Sequence, residues 1–255
     1  MPLEIITLPC LSDNYAFLLH DRESGQSALV DSPDAKAIRA ELDQRGWGLN
    51  YILLTHHHWD HVDGVDALRQ HYDAKVIGAK ADAHRLPGLD RAVSDGETFD
   101  LFGAPVHVMD VSGHTLGHIA FYLPDSQAVF TADSLMALGC GRLFEGTPAQ
   151  MWQSLSRLAA LPADTLVYSG HEYTQSNAAF ALTIEPDNAA LQARVAEVNT
   201  KAKRQEATVP SYLREEIETN PFLRASNPKV KTALGMEGIE DKEVFAEIRK
   251  RKDLF

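Results

Sequence analysis

The chain has 255 residues, of which 44% are hydrophobic and 24% charged, an ordinary composition for a globular protein of one large domain or a large and a small one. The net charge of −12 argues against a nucleic-acid partner, because phosphates are attracted to a basic surface. Only two cysteines occur, Cys10 and Cys140, which does not suggest a disulfide framework and fits a reducing compartment.

The N-terminal segment MPLEIITLPCLSDNY has early acids and a proline and no basic stretch, so it indicates a first strand and not a signal peptide. No apolar run approaches the length of a membrane span. We therefore expect a cytoplasmic protein with no membrane partner.

The first two thirds of the chain alternate strand and helix patterns. Strands are predicted at LEIITL, YAFLLH, SALVDS, YILLTH, AKVIGA, PVHVMDV, HIAFYL, AVFTAD and TLVYSG. Helices are predicted at DAKAIRAELDQRG, closed by Gly46, and at TPAQMWQSLSRLAAL, with Thr147 as N-cap and Pro148 in the first helical position. This alternation predicts layered α/β packing.

From about Tyr173 the pattern becomes helical. The segments that predict helices are NAAFALTIE, NAALQARVAEVNTKAKRQEA, SYLREEIETN and DKEVFAEIRKRKD, and strand patterns are almost absent. We therefore predict an α/β domain over residues 1–172 and a small all-helical domain over residues 173–255.

The segment ILLTHHHWDHVDG concentrates metal ligands directly after an apolar strand. His56 and His58 are two apart and point the same way in an extended segment, while Asp60 and His61 follow at the start of a predicted helix. Imidazole and carboxylate suit zinc, iron and manganese. A surface histidine cluster is the alternative, but it leaves the spacing unexplained. His57 breaks the alternation and is expected to make a loop hydrogen bond instead, and Trp59 is expected to pack under the loop.

Further ligand-type residues follow other apolar strands, where loops carry function. They are His114 in SGHTLGH, Asp133 in FTAD and His171 in YSGHEYT, whereas His118 at the next strand has structural and functional interpretations of equal weight. Five histidines and two aspartates exceed one tetrahedral zinc site and suit two metals that share a carboxylate. We assign His56, His58 and His114 to one metal, Asp60, His61 and His171 to the other, and Asp133 to both.

The motifs THHHWDH, GHT, TAD and GHE, in this order, resemble the metallo-β-lactamase superfamily. The resemblance implies an αββα sandwich with the metals at one edge between the two sheets, the same division of ligands, and a structural partner near the site at Asp31. Within that superfamily the segments SDNYAFLL, GCGRLFEGT, GHEYTQSN, NPFLR and RKRKD are similar to the glyoxalase II (hydroxyacylglutathione hydrolase) family. The likeness runs from Asn14 to Asp253 and includes a helical C-terminal domain that most superfamily relatives lack.

The resemblance implies hydrolysis of S-(2-hydroxyacyl)glutathione, chiefly S-D-lactoylglutathione, to glutathione and the 2-hydroxy acid, D-lactate. A hydroxide bridging two divalent metals, zinc in first place and iron or manganese as alternatives, would attack the thioester, oriented by Asp60. Arg142 and Tyr173 would meet the glutathione part, and Arg249 and Lys252 its glycine carboxylate. We expect a monomer.

Two positions depart from the family pattern. Phe144 stands where many members carry tyrosine, which removes one expected hydrogen bond to glutathione. Ala132 stands where the motif TGD is common, so the backbone at Asp133 could shift.

The basic tail also has an interpretation of its own. Arg249 and Lys252 are three apart and share a helix face, and cations near a helix C-terminus are favoured by the helix dipole alone. In an acidic protein whose expected substrate carries two carboxylates, which arginine can grip bidentately, a binding role is favoured.

Three alternatives remain open at this point. Another hydrolase of the same fold, a lactonase or β-lactamase, fits poorly, because many β-lactamases have Arg or Cys among these ligand positions. A mononuclear-iron dioxygenase acting on glutathione persulfide would use fewer ligands and lack the helical domain. A nuclease is disfavoured by the acidic charge.

Overall fold

The computed structural model of the protein describes residues 2–255. Its backbone contacts divide into two compact units, the first reaching Asp110 and including Gly117–Thr131, the second formed by Val111–Leu116 and Ala132–Phe255. The domain boundary predicted after residue 172 rests on sequence pattern and stays a prediction. Within residues 2–255 no helix has both the length and the apolar character needed to cross a membrane.

The first unit contains a six-stranded mixed sheet. In spatial order its strands are β1 (Glu4–Cys10), β2 (Asn14–His20), β3 (Ser27–Val30), β4 (Tyr51–Leu53), β5 (Lys75–Ala79) and β6 (Arg91–Val93). The first three run antiparallel to one another, and β3 to β6 are parallel. Every residue of β2 and β3 is buried, as expected for strands covered on both faces.

Four antiparallel strands of a second sheet also lie in the first unit, apart from the last residue of the fourth. They are β7 (Thr98–Leu101), β8 (Ala104–Asp110), β9 (Ile119–Leu123) and β10 (Ala128–Ala132). Phe17 of β2 meets Phe130 of β10 with ring centroids 5.5 Å apart, so the apolar faces of the two sheets meet in the core. The sequence patterns predicted all of these strands except the short β6 and β7.

The helices of the first unit are α1 (Ala35–Arg45), α2 (Trp59–Val62) and α3 (Val65–Tyr72), with single 3₁₀ turns at 80–82 and 124–126. Gly46 ends α1 with a φ of 69°, as predicted. The single helix predicted from Asp60 is wrong, because the chain forms two helices interrupted at Gly64, whose N–H is drawn away to Ser32 O at 2.8 Å.

The second unit is mainly helical. In chain order its elements are β11 (Leu135–Met136), β12 (Gly139–Cys140), α4 (Pro148–Ala159), β13 (Leu166–Ser169), α5 (Thr174–Ile184), α6 (Ala189–Lys203), β14 (Ser211–Tyr212), α7 (Leu213–Thr219), α8 (Pro228–Leu234) and α9 (Asp241–Leu254). Thr147 caps α4 in a capping box with Gln150, which confirms the predicted helix start. The hairpin β11–β12, the short β14 and α8 lack a strong periodic pattern and were not predicted.

A buried carboxylate organises the second unit. Glu216 is fully buried and accepts hydrogen bonds from Leu138 N at 2.9 Å, Ser211 Oγ at 2.6 Å and Asn220 Nδ2 at 3.0 Å, and it pairs with Arg194. Asn220 also donates to two backbone carbonyls of the β11–β12 hairpin at 3.1 and 2.9 Å. The hairpin is therefore fixed by side chains of α7 and of the residue that follows it.

Truncating one partner of this buried pair should destabilise the protein. We expect Arg194→Ala to lower the free energy of unfolding by about 3 kcal/mol, because the Glu216 charge would remain buried without its cation. Urea unfolding followed by circular dichroism measures the loss. Lys201→Ala is the matched control on the same helix, since its pair with Glu197 is exposed and worth at most about 0.5 kcal/mol. Equal losses in both variants would contradict the assignment.

Candidate metal centre

Four predicted ligands lie together in the first unit, between the end of β4 and the first turn of α2. His56 and His61 are fully buried, and the His56 ring centroid lies 4.8 Å from that of His58 and 4.2 Å from that of His61. The Asp60 carboxylate oxygen Oδ2 lies 3.8 Å from His61 Nε2. The strand end and helix start thus bring the three imidazoles and the carboxylate to neighbouring points, as the spacing predicted.

Asp31 determines which ring nitrogen carries the proton in two of these histidines. Its carboxylate accepts hydrogen bonds from Thr55 N at 2.9 Å, Thr55 Oγ1 at 2.8 Å and His61 Nδ1 at 2.8 Å. Because the Thr55 hydroxyl proton is directed to Asp31, Thr55 Oγ1 acts as acceptor for His56 Nδ1, 3.0 Å away. Both imidazoles therefore carry their proton on Nδ1 and present the Nε2 lone pair, the form that binds a metal.

Asn14 holds Asp60 and was not among the predicted site residues. It is buried at the start of β2, and its Nδ2 donates to Asp60 Oδ2 and to Asp60 O, each at 3.0 Å. These two bonds set the orientation of the carboxylate against the helix start. The only signal in the sequence was the position of Asn14 inside the family-like segment SDNYAFLL.

His57 makes the hydrogen bond that was predicted for it, to a buried carboxylate, and its ring centroid lies 4.9 Å from that of His58. Its Nδ1 donates to Asp82 Oδ2 at 2.8 Å, while Arg85 Nε donates to Asp82 Oδ1 at 2.5 Å. A Cβ on Gly117 would lie only 2.5 Å from the Asp82 Cβ, so only glycine permits this approach. Asp82 lies 25 residues from His57 in the chain, and no sequence pattern joined them.

Two further residues of this region can now be placed. His118 is fully buried, donates from Nδ1 to Ile119 O at 3.1 Å, and stacks on His56 at 4.6 Å with a 9° angle between the rings, which favours its structural interpretation. Trp59 was expected to pack under the loop, and this expectation is wrong. It is 66% exposed at the start of α2, because the buried side of that short helix is taken by His61.

The second unit brings together the other three predicted ligands. His114 Nε2 and His171 Nε2 each lie 3.3 Å from the same oxygen, Asp133 Oδ2, and all three residues are buried. His114 Nδ1 donates to Arg142 O at 2.7 Å, which again leaves the Nε2 lone pair to face Asp133. One carboxylate between two imidazoles is the arrangement that its predicted shared role requires.

The segment 141–144 braces these ligands. A Cβ on Gly141 would lie 1.9 Å from Asp133 O, so the chain passes here at a distance that only glycine allows. Phe144 N donates to His114 O at 3.3 Å, and its ring meets His114 edge-on at 5.2 Å. Ala132 has a φ of 40°, a conformation that glycine adopts at lower cost, so the departure from TGD introduces local strain beside Asp133.

Arg142 and Tyr173, both expected to contact glutathione, are accessible. Tyr173 is 41% exposed and stacks on His171 at 4.7 Å with a 7° angle between the rings. The Arg142 side chain is 64% exposed, and its Nε lies 3.9 Å from Asp253 Oδ1. Both side chains therefore project from segments that also carry or support a predicted metal ligand.

Arg249 and Lys252 differ in their environments. Arg249 is 6% exposed and donates to Cys140 O at 3.0 Å and to Asp253 Oδ1 from Nη2 at 2.8 Å. The Lys252 ammonium lies over the Phe180 ring, 5.3 Å from its centroid. Burial, and after it the nearby charge of Arg249, lowers the pKa of Lys252. The pair thus forms a partly desolvated positive region.

Neither cysteine is a candidate nucleophile. Burial raises the pKa of the Cys140 thiol to about 11 and that of Cys10 to about 12, so neither forms a thiolate at neutral pH. The chemistry of this chain therefore rests on its imidazoles and carboxylates.

Comparison with known proteins defines the class. Residues 14–171 match the family model of the metallo-beta-lactamase superfamily, and residues 172–255 match the model of the hydroxyacylglutathione hydrolase C-terminus. The crystal structure of the BLEG-1 B3 metallo-beta-lactamase is similar with a TM-score of 0.67 and 21% identity, covering 86% of this chain and 99% of that chain. The crystal structure of TTHA1623 in a di-iron-bound form has a TM-score of 0.62 and 27% identity, covering 86% and 100%. These likenesses give the chain a metallo-β-lactamase fold followed by a helical C-terminal region.

A curated relative narrows the class to a family. The hydroxyacylglutathione hydrolase of Ruegeria pomeroyi is 67% identical over 255 residues, which is the whole of both chains. This chain belongs to the hydroxyacylglutathione hydrolase family, as the motifs predicted. The alternative functions, another hydrolase of the same fold, a dioxygenase or a nuclease, are not favoured.

Removing the charge of Asp31 should weaken metal binding. In Asp31→Asn an NH₂ group replaces one of the two accepting oxygens and the negative charge is lost. The remaining oxygen cannot accept from Thr55 N, Thr55 Oγ1 and His61 Nδ1 together, so the Nδ1-protonated form of His61 is favoured less. We expect metal affinity to fall about 10- to 100-fold, the usual cost of losing a hydrogen bond behind a ligand. Chelator competition measures it, with the exposed Asp66→Asn on α3 as control. Unchanged affinity in Asp31→Asn would contradict the role given to this carboxylate.

Proposed function

We propose that the protein hydrolyses the thioester bond of S-(2-hydroxyacyl)glutathione, with S-D-lactoylglutathione as its main substrate, giving glutathione and D-lactate. The observation that carries the proposal is a ligand set held in metal-binding form within a chain that matches hydroxyacylglutathione hydrolases over its whole length. The substrate is a small molecule; the acidic net charge of −12 does not suit nucleic acid.

We propose that two divalent cations, zinc in first place with iron and manganese as alternatives, are held by His56, His58, Asp60, His61, His114, Asp133 and His171. The donor set fits these ions, because imidazole and carboxylate are their ligands and three of the histidines donate from Nδ1 to a protein acceptor. When bound, such cations lower the pKa of water and polarise a carbonyl group.

Asp60 is the proposed catalytic residue. Asn14 fixes its carboxylate by donating to Oδ2, so Asp60 can accept a hydrogen bond from the attacking water and direct it at the thioester carbonyl. The new bond joins the water oxygen to the acyl carbon, the proton that the water loses passes to the Asp60 carboxylate, and the C–S bond breaks with its electrons on sulfur. The thiol of glutathione is that of a cysteine, with a pKa of about 8.5, so it leaves as thiolate without a strong general acid.

Four residues are proposed to hold the glutathione part: Arg142, Tyr173, Arg249 and Lys252. Glutathione carries two carboxylates, and arginine binds carboxylates bidentately. Phe144 lacks the hydroxyl that tyrosine offers in many relatives, so the backbone of the peptide is held by one hydrogen bond fewer here. Recognition of the substrate then depends more strongly on the basic side chains of Arg142, Arg249 and Lys252.

We also propose a cytoplasmic monomer. Cys10 and Cys140 form no disulfide, which a reducing compartment maintains, and one chain supplies all of the proposed site residues. Light scattering of the purified protein tests the monomeric state.

Oxygen uptake with glutathione persulfide, in metal-loaded protein that lacks thioesterase activity, would favour the dioxygenase alternative.

The function is tested by following loss of the thioester of S-D-lactoylglutathione together with the metal content of the sample. We expect His58→Ala to lower kcat/KM by at least about 100-fold while the fold is retained, because a ligand is lost. His71→Ala removes an exposed histidine of α3 and serves as control. Inactivity of the metal-loaded native protein would refute the function, and near-native turnover of His58→Ala with unchanged metal would refute its ligand role.

The pH dependence of KM should report Lys252. Its lowered pKa means that the ammonium loses its proton, and with it the attraction to a carboxylate, at a lower pH than an exposed lysine does. We expect KM to rise with alkaline pH at a lower pH than the pKa of about 10.4 of an exposed lysine would give, after correction for spontaneous thioester hydrolysis. Lys252→Arg should remove this rise, since guanidinium stays protonated. A rise that persists in Lys252→Arg would assign it to another group.

A further inference from the structure

We propose that Asp253 competes with the substrate for the proposed carboxylate-binding arginines and thereby weakens the hold of the protein on glutathione. The inference rests on the proposed function, because it concerns the residues that we assign to the glutathione part. It adds a residue that sets affinity and product release.

One carboxylate oxygen of Asp253 lies beside the guanidinium groups of Arg249 and Arg142. Asp253 Oδ1 accepts from Arg249 Nη2 at 2.8 Å and from Arg249 Nε at 3.1 Å, and it lies 3.9 Å from Arg142 Nε. The Asp253 side chain is 40% exposed and that of Arg249 only 7%, so an incoming carboxylate reaches the same guanidinium edges by displacing Asp253. Asp253 therefore occupies the kind of position that a substrate carboxylate would take.

Arg249 does not depend on Asp253 for its position. Its Nη1 donates to Cys140 O at 3.0 Å, and its guanidinium lies over the Phe222 ring, 5.1 Å from the centroid. The residue is 6% exposed, so packing restricts the side chain as well. A group that only had to orient Arg249 would be redundant here, which favours competition over positioning.

The placement of Asp253 in its helix also calls for an explanation. It lies in the last turn of α9, where the negative end of the helix dipole disfavours a carboxylate. The helix dipole therefore does not account for it, and its i,i+4 pair with Arg249 has the less favourable order, with the cation N-terminal to the anion. Burial is the main cause of the lowered pKa of Lys252, and the charge of Arg249 lowers that pKa more than the charge of Asp253 raises it. The region thus remains attractive to anions in spite of Asp253.

The consequence concerns the product. Hydrolysis changes the sulfur end of the substrate and leaves both carboxylates of glutathione intact, so every contact to them holds the product as tightly as the substrate. Such uniform binding does not speed the chemical step. A competing internal carboxylate weakens it and speeds release of glutathione.

The test is Asp253→Asn, which keeps the shape of the side chain and removes its charge. We expect the dissociation constant of glutathione, measured by calorimetry on the metal-loaded protein, and the KM for S-D-lactoylglutathione to fall about three- to fivefold. Salt should reduce the difference. Glu247→Gln is the matched control, because Glu247 makes an i,i+4 contact with Arg251 on the same helix at 2.9 Å, but that arginine is exposed and is not among the proposed substrate contacts.

Tighter binding in Asp253→Asn with unchanged binding in Glu247→Gln supports the inference. Unchanged or weaker binding in Asp253→Asn overturns it, and so does equal tightening in both variants, which would reflect net charge alone. Asp253→Ser repeats the test if the asparagine variant fails to fold. If the native protein neither hydrolyses the thioester nor binds glutathione, the proposed function fails; if it does both and Asp253→Asn binds no tighter, only the inference fails.

Discussion

The candidate site depends first on the buried carboxylate of Asp31. It accepts three hydrogen bonds and thereby holds His61 directly and His56 through the hydroxyl of Thr55. An imidazole has two tautomers, and only the one protonated on Nδ1 presents Nε2 to a metal. Asp31 itself has a φ of 56°, which is costly for a residue other than glycine and is tolerated because the surrounding bonds fix it. The tautomers of His56 and His61 are therefore set by Asp31 and Thr55, which are not themselves among the proposed ligands.

Buried carboxylates with complete sets of partners recur through the chain. Asp82 is fully buried against His57 and Arg85, and Glu216 is fully buried among Arg194 and three further donors. Each joins segments distant in sequence, and each would be costly to leave unpaired. Such groups add less to net stability than an apolar core of the same volume, but they admit only one arrangement of the loops that they connect.

These contacts also mark what the sequence could predict. Ligand-type residues at the ends of apolar strands could be identified, because strand ends gather at one edge of a sheet and the His-x-His alternation has a fixed geometry. The roles of Asn14 and Asp82 could not, since their partners lie 46 and 25 residues away and no local periodicity links them. The exposure of Trp59 was missed for a related reason: its burial depended on which side of a four-residue helix His61 took.

The helices after residue 172 do more in the second unit than carry two of the proposed substrate-binding residues. The β11–β12 hairpin begins two residues after Asp133 and ends two residues before Arg142. Glu216 and Asn220 hold its backbone from α7 and the segment beyond, and Arg249 of α9 binds the carbonyl of Cys140. A helical side chain thus fixes the segment that carries both a proposed ligand and a proposed substrate contact. Because Arg249 takes part in that anchoring, a substitution there would change the hairpin and the proposed substrate contact together. Within the described residues 2–255, Lys252 makes no such bond to the hairpin, so a substitution there would disturb the proposed metal ligands less.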